Sequence, residues 1–587
     1  MKKITTTLLI SLITFGTAYN QIAAPSWYKA MCGYDQGNSH VYADDELNIY
    51  FSAVFFDTLN FDYTGIDTTL VSTGGLMITK MDPEGNLQWM NTISVHDSSI
   101  TPAGNLMAPR VQVNNGLVYV IAEAFDTLTL KPGDTSFLIP ASLSMATSFI
   151  AAYNTEGSPM WVKNLRSTDA VIIHDFEVDN AGNLFIVGNM GGITDFDPSA
   201  AEYFMSTLGP TDDFIAKYDF AGNLIWVHAI KATGLPCPIF LETDPDGNVV
   251  ISMAMINNVS ADFDLSEADL IFDSNEAGAM VIAKYNTDAD LVWAFKISVD
   301  TGYGGVNLTD MSIDDDGNII CVGRAGGANP IDYDPSADVY AISGEDGTEG
   351  GMIAKYNGDG NFQWAYQWDV TGQLQCTAVA TDNEGNAFVL GELIGTVDLD
   401  PSAAEFMITT EAYAATPYDY DGFIMQFDAV GNFVDAGQFY DGGNGWYSND
   451  IFIDDADNLL ITNYFSDSID IDPTTDTEII YSFVPFLPDD YEVEGYLAKY
   501  GNATTFVESL QNDSEIMLYP NPVQNTLHID CPQKIESVAV FDITGKCIYI
   551  NEQFNQSGID MTSAPSGIYF IRIHSQNLIN SGTFIKI

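Results

Sequence analysis

The chain has 587 residues, 81 of them Asp or Glu against 19 Lys or Arg, giving a formal net charge of −62. That charge argues against nucleic acid, whose phosphates are gripped by Lys and Arg, and against docking on anionic lipid. It does not imply disorder: 46% hydrophobic and 12% aromatic residues suffice for a large core, and 49 Gly, 29 Tyr and 34 Phe favour strands and turns over helices.

Lys2 and Lys3 precede an apolar stretch, Ile4 to Phe15, and then the small residues Gly16, Thr17 and Ala18. This is the layout of a secretory signal peptide over residues 1–18. The apolar stretch is short for a bilayer span, and no later run reaches 18 uninterrupted apolar residues, so no transmembrane segment is expected. Six cysteines, at 32, 237, 321, 376, 531 and 547, would meet an oxidising compartment. They show no metal-type C-x-x-C spacing, and a Cys531–Cys547 pairing stays open.

From residue 26 to residue 500 the chain repeats itself. An Asp-opened turn of Gly-Asn type recurs at Asp44, Asn114, Asp179, Asp244, Asp314, Asp382 and Asp454, at spacings of 65 to 72 residues. Flanked by apolar runs, it reads as a β-hairpin in which Gly takes positive φ and the Asp carboxylate folds back on turn amides. A second marker, of the F-I-A-K-Y kind, starts at Met77, Phe149, Phe214, Val281, Met352, Phe423 and Tyr496. Nine residues beyond its Lys position stands a Trp: Lys80 to Trp89, Ala152 to Trp161, Lys217 to Trp226, Lys284 to Trp293 and Lys355 to Trp364. The sixth copy has Asp435 in the Trp position. A fixed offset across a turn is what a pinned hairpin register requires.

Each repeat therefore holds four short strands, the unit of a β-propeller blade. The last copy lacks its Trp strand, while an orphan one, Ser26-Trp27-Tyr28-Lys29-Ala30, stands at the front. The expected fold is all-β, a seven-bladed propeller over 26–500 closed by the N-terminal strand, which hides the last exposed edge. Residues 501–515 read as a polar linker, and 516–587 as a small Ig-like β-sandwich.

The repeats resemble the long-blade, SBBP-like propeller repeats of secreted bacterial proteins, on their Gly-Asn turns, D-F-D-P elements and F-I-A-K-Y strands. The tail, with Tyr519-Pro520-Asn521-Pro522 and Ser566-Gly567-Ile568-Tyr569-Phe570, closely resembles the type A C-terminal sorting domain of the type IX secretion system. That resemblance implies export by this machinery, with residues 516–587 as its contact, and release or attachment at the outer cell surface.

The acidic element recurs as Asp195-Phe196-Asp197, Asp262-Phe263-Asp264, Asp332-Tyr333-Asp334, Asp398-Leu399-Asp400 and Asp470-Ile471-Asp472. In an extended strand residues i and i+2 share a side, so each pair sets two carboxylates together. Asp195, Asp197, Asp332, Asp334, Asp398, Asp400, Asp470 and Asp472 are therefore calcium candidates. Against that stands a structural role, as turn caps or as salt bridges to the Lys of F-I-A-K-Y. The second repeat loses both partners, with Thr129 and Lys131 for the carboxylates and Ala152 for the Lys. The sixth keeps Asp398 and Asp400 beside Gln426. On the salt-bridge reading Lys217 should touch Asp195 or Asp197. Asp314-Asp315-Asp316-Gly317-Asn318 carries part of a calcium-loop pattern but lacks the Glu at the twelfth position of an EF-hand.

Histidines stand only at 40, 96, 174, 228, 528 and 574, and neither an H-E-x-x-H motif nor a G-x-S-x-G elbow occurs. No catalytic residue can be named. The expected role is binding, adhesion or scaffolding toward an extracellular glycan or protein; the rivals are a glycan-active hydrolase or lyase and a calcium-stabilised passive surface protein. A non-repeating acidic cluster with His, Tyr or Arg at the channel would favour the enzyme, and a repeat-symmetric mouth would favour binding. Three non-repeating segments, Gly302–Gly305, Gly442–Trp446 and the aromatic Phe483–Tyr491, are further candidates.

Overall fold

The computed structural model describes residues 22–501 and 517–586 apart from internal stretches, the longest being 96–108, 411–419, 441–449 and 482–493. The signal-peptide segment, residues 502–515, the Cys531–Cys547 pairing and the segments 302–304, 442–446 and 483–491 lie outside the described residues. The chain forms two compact units, 1–502 and 503–587.

The first unit is a β-propeller. Its chain is laid down as successive antiparallel meanders of four strands. Ile239–Thr243, Val249–Met255, Ala279–Tyr285 and Leu291–Ser298 form one. Val306–Ile313, Ile319–Gly326, Glu349–Tyr356 and Phe362–Gln367 form the next, and Gln373–Thr381, Ala387–Ile394, Asp421–Phe427 and Phe433–Phe439 another. The second and third strands of a meander are covered on both faces by neighbouring meanders, which is why Val249–Met255 and Ala279–Tyr285 are buried along their whole length. The outermost strand has less cover, and Leu224–Ala232 mixes buried and exposed positions accordingly.

Between the second and third strands many meanders carry a short arm. The arm of Ser260–Asp262 and Ile271–Asp273 pairs with the outermost strand of the preceding meander, with Lys231 opposite Asp262 and Ala232 opposite Ala261. This arm thus staples adjacent meanders together, as does that of Leu128–Thr129, which pairs with Ser94 and Val95.

The long strand Pro25–Ala43 serves two meanders. Its second half, Ser39–Ala43, pairs with Ile49–Ala53. Its first half pairs with Glu494–Tyr500, placing Trp27 opposite Lys499 and Tyr28 opposite Ala498. Trp27 and Lys499 thereby adopt the same cross-strand register as Lys80–Trp89, Lys217–Trp226, Lys284–Trp293 and Lys355–Trp364. The innermost strands, beginning with Pro25–Ala43 and Arg110–Asn114 and ending with Asp450–Ile453, each adjoin the next in a closed circle.

The Trp is what joins one meander to the next. Trp27 donates its indole N–H to Pro83 O (3.1 Å), Trp89 to Thr155 O (2.9 Å), Trp226 to Thr287 O (3.2 Å) and Trp293 to Gly358 O (3.2 Å), each in a hairpin turn of the following meander. Gly85 has φ +80°, and a Cβ there would stand 3.0 Å from the Trp27 ring, so both the turn and the ring demand Gly.

The second unit holds two sheets. One contains Met517–Tyr519, Thr526–Asp530 and Ile559–Asp560; the other contains Cys547–Asn551, Ser537–Asp542, Gly567–Ser575 and Leu578–Lys586. Val523, Leu527, Ile559 and Met561 meet Val538, Val540, Ile571 and Ile573 in one core.

Trp27→Ala should remove the contact between the chain's first strand and the Asp82–Asn86 turn. A loss of about 3 kcal/mol is expected, since large-to-small substitutions of Trp cost roughly this much. Chemical denaturation followed by circular dichroism measures it; an unchanged midpoint would show that the Trp27 contact does not hold the ring closed.

Candidate functional site

The acidic pairs turn out to be backbone caps. Asp195 Oδ1 accepts the N–H of Asp197 (3.1 Å) and of Tyr203 (2.9 Å), and Asp197 Oδ1 accepts that of Ser199 (3.0 Å). The pattern recurs at Asp332 and Asp334, at Asp398 and Asp400, and at Asp470 and Asp472. The first Asp ties off the arm's loop by bonding two residues and eight residues ahead; the second continues the turn. The Tyr of F-I-A-K-Y anchors the same element from inside: Tyr218 donates to Phe196 O, Tyr285 to Phe263 O, Tyr356 to Tyr333 O and Tyr500 to Ile471 O, all at 2.8 to 2.9 Å.

The salt-bridge expectation is corrected. Lys217 does not pair with Asp195 or Asp197: its Nζ donates to Thr287 O at 3.1 Å and lies 4.8 Å from the Phe185 ring centre. The carboxylate partner of this Lys position is instead the Asp that opens the Gly-Asn turn, as in Lys284–Asp244 (2.7 Å), Lys355–Asp314 (3.0 Å) and Lys499–Asp454 (3.0 Å). Strand register explains this. Lys284 stands opposite Val250 and Lys355 opposite Ile320, at the turn end of the second strand and away from the arm.

The same geometry accounts for the sixth repeat. Lys284 and Trp293 both donate to Gly358 O, in a turn joining the third and fourth strands of the next meander. In the last meander those strands are Glu494–Tyr500 and the chain's first strand, which no hairpin connects. The preceding copy therefore has no such turn to bind, and Gln426 and Asp435 face each other in its register. There Phe427 replaces Tyr, and Trp368 donates to Leu399 O at 3.2 Å in its stead.

The side chains that do break the repeat lie at the inner edge of the ring. Four residues before each Asp-type turn stand His40, Arg110, Asp175, Phe240, Asp310, Ala378 and Asp450. Two residues further on stand Tyr42, Gln112, Glu177, Glu242, Ser312, Ala380 and Phe452. These two levels escaped the sequence reading because repeat-matching looks for what recurs. Subtracting the repeat and asking which inner-strand positions vary in chemistry would have found them.

Asp450, His40, Arg110 and Asp175 occupy successive innermost strands. Arg110 Nη1 pairs with Asp175 Oδ1 at 2.5 Å, and His40 Nε2 lies 3.9 Å from Asp450 Oδ2. Part of their work is sewing strands together. Asp450 Oδ2 accepts Val41 N–H (2.9 Å), Asp175 Oδ2 accepts Leu241 N–H (2.9 Å), Asp310 Oδ2 accepts Val379 N–H (2.8 Å), and His40 Nδ1 receives Val111 N–H (3.4 Å). That last bond leaves the His40 proton on Nε2, toward Asp450. Asp175 is buried, but the others keep partial exposure: 34% of the Arg110 side chain and 25% of that of Asp450 are exposed, and Glu177, Glu242 and Asp310 are half-buried.

Burial sets the protonation of this ring. It pushes Asp310 up to about 7, with Asp450 adding to the rise and the bonds from Val379 and Met311 N–H opposing it. Burial likewise raises Glu177 to about 8, against the hydrogen bond from Gln112 Nε2 (2.5 Å). Glu242 is held well above the usual carboxylate range, by burial first and then by Glu177 and Asp175. His40 is lowered by burial. The ring thus holds proton-bearing carboxyls beside an Arg–Asp ion pair, an arrangement able both to donate and to accept hydrogen bonds. Among the described residues no three His, Cys, Asp or Glu gather into a metal-ligand set.

Residues 517–586 match the family described as the Secretion system C-terminal sorting domain. The tail is therefore a sorting domain of the type IX route, and implies contact with that machinery and a destination outside the cell or on its surface. The chain is 23% identical over 509 residues to an uncharacterised WD repeat-containing protein of Acanthamoeba polyphaga mimivirus, covering 77% of this chain and 35% of the relative. It thus spans about a third of that relative's length. Similar solved structures include a DUF4221-family member from Bacteroides vulgatus, at 9% identity and TM-score 0.27, covering 82% of this chain and 98% of that one. The extracellular domain of a putative hybrid two-component system from B. thetaiotaomicron matches at 11% identity and TM-score 0.17, covering 97% of this chain and 100% of that one. Among the described residues no helix is long and apolar enough to cross a membrane.

Asp310 offers a pH test. Its pKa is raised from an ordinary 3.8, so its stabilising contribution is complete below about pH 4 and is lost as pH climbs through about 7. Asp310→Asn should therefore gain stability relative to wild type across that window. A carboxyl ¹³C titration placing the Asp310 midpoint near 4 instead of near 7 would overturn the assignment.

Proposed function

We propose that this protein is a secreted or cell-surface β-propeller, exported by the type IX system, whose role is binding, adhesion or scaffolding at the axis of the ring. On this reading residues 1–18 are the signal peptide, the repeats are SBBP-like, and the ring counts seven blades, the last completed by the chain's first strand. The sorting unit is an Ig-like sandwich. The pairing of Trp27–Met31 with Gly495–Lys499 and the closed circle of innermost strands support the blade count. The observation that carries the binding role over a catalytic one is that Asp175, Asp310, Asp450 and His40 of the inner ring are already hydrogen-bonded to strand N–H groups or to Arg110, while His40, Arg110, Asp310 and Asp450 keep partial exposure.

The break in the repeat at this ring, a non-repeating acidic cluster with His and Arg, is the feature expected of an enzyme and supports a second reading, a glycan-active hydrolase or lyase. Such chemistry needs one singular set of carboxyls, and Glu177 and Asp310, both raised by burial, offer candidates on the inner ring. Turnover of chromogenic glycosides by wild type, abolished in Glu177→Gln, would decide for it.

The third reading, a calcium-stabilised passive surface protein, would place calcium at Asp195, Asp197, Asp332, Asp334, Asp398, Asp400, Asp470 and Asp472. The first Asp of each pair caps two backbone N–H groups and the second one, which supports a metal-free role for the pairs. The melting temperature should therefore stay the same, within about 1 °C, on adding a chelator; a larger drop would favour calcium.

Export is checked by deleting residues 516–587. The full chain should reach the medium or cell surface, and the truncated chain should stay in the periplasm; equal surface delivery of both would sink the sorting role.

A further inference from the structure

We propose that the inner ring binds a neutral polyhydroxyl ligand, a sugar unit of an extracellular glycan, through the arc Asp450, His40, Arg110, Asp175 together with Asp310. This rests on the binding role above and commits it to one chemical class.

The class follows from what the ring would reject. Five carboxyl side chains, Asp175, Glu177, Glu242, Asp310 and Asp450, outnumber the one guanidinium, Arg110, which is already paired with Asp175, so a phosphate or other anion would find no free counter-charge there. A hard cation needs several carboxylates converging on one point, and among the described residues no such set exists. The carboxylates are also committed elsewhere: Asp175 to Arg110 and Leu241 N–H, Asp310 to Val379 N–H, Asp450 to Val41 N–H. Arg110, inside the ring, opposes a second positive charge.

A hydroxyl suits this wall. It donates to carboxylate oxygens, each of which accepts more than one hydrogen bond, and it accepts from a guanidinium with donors beyond the one facing Asp175. Protonated carboxyls add donors of their own. Sugars also present a carbon face. At the next level Tyr42 and Phe452, from the first and last innermost strands, pair with ring centres 4.7 Å apart and stay half-buried. Two partly exposed aromatic rings, tilted 43° to each other, thus lie beside the polar groups.

The test uses the full chain on an array of neutral oligosaccharides, with hits measured by calorimetry and spermine as a cationic probe. At least one neutral oligosaccharide should bind, and Asp310→Asn and Tyr42→Leu should each weaken it by about tenfold or more, the melting temperature of Asp310→Asn staying at or above that of wild type. Asn keeps an oxygen for Val379 N–H, so the strand contact survives. Sugar binding that neither variant weakens would overturn the inference by placing the site elsewhere. Spermine bound in an Asp310-dependent way, with no sugar bound, would remove the ligand class and leave the ring as a binding site. No binding of either probe would remove both.

Discussion

The pairing of the chain's first strand with its last propeller strand is the constraint on which the first unit depends. Antiparallel bonds from Trp27–Met31 to Gly495–Lys499 bring together residues more than 460 positions apart and remove the free edge that an unclosed ring would expose. The closure has the register of every internal junction, with Trp27 opposite Lys499 as Trp293 is opposite Lys284. The same indole-to-carbonyl bond then passes into the next turn. Closure is thus an ordinary junction made between distant parts of the chain.

The repeated residues form one lattice. Each Asp-type turn folds on itself through Asp Oδ1; the Lys of the third strand ties that Asp to a turn in the next meander; the Trp opposite it binds the same turn; the Tyr beside it holds the arm. A residue that departs from the pattern does so where its partner is missing, as Gln426 and Asp435 show. Because this lattice uses the turn face and the arms, the inner edge is free to vary. That is where the chemistry diverges, with an Arg–Asp pair, a His and proton-holding carboxyls in place of a repeated residue.

Much of the fold was legible in the sequence: the turn spacing, the Lys-to-Trp offset and the orphan Trp strand each mark a contact between close neighbours in the chain or a copy of one. The inner ring was not legible, because His40, Arg110, Asp175, Asp310 and Asp450 are each unremarkable in sequence and are scattered over more than 400 residues. The acidic pairs were legible as turn caps, since each caps its own loop, but the partner of the nearby Lys was not, since strand register sets it.

Sequence alone determined the strand pattern, the turns and the sorting tail, since these rest on local periodicity and short motifs whose partners lie a few residues away. Tertiary structure decided which Asp each Lys meets and which side chains share the axis. Both depend on cross-strand register and on the closing of the circle, which bring together residues that no spacing along the chain relates.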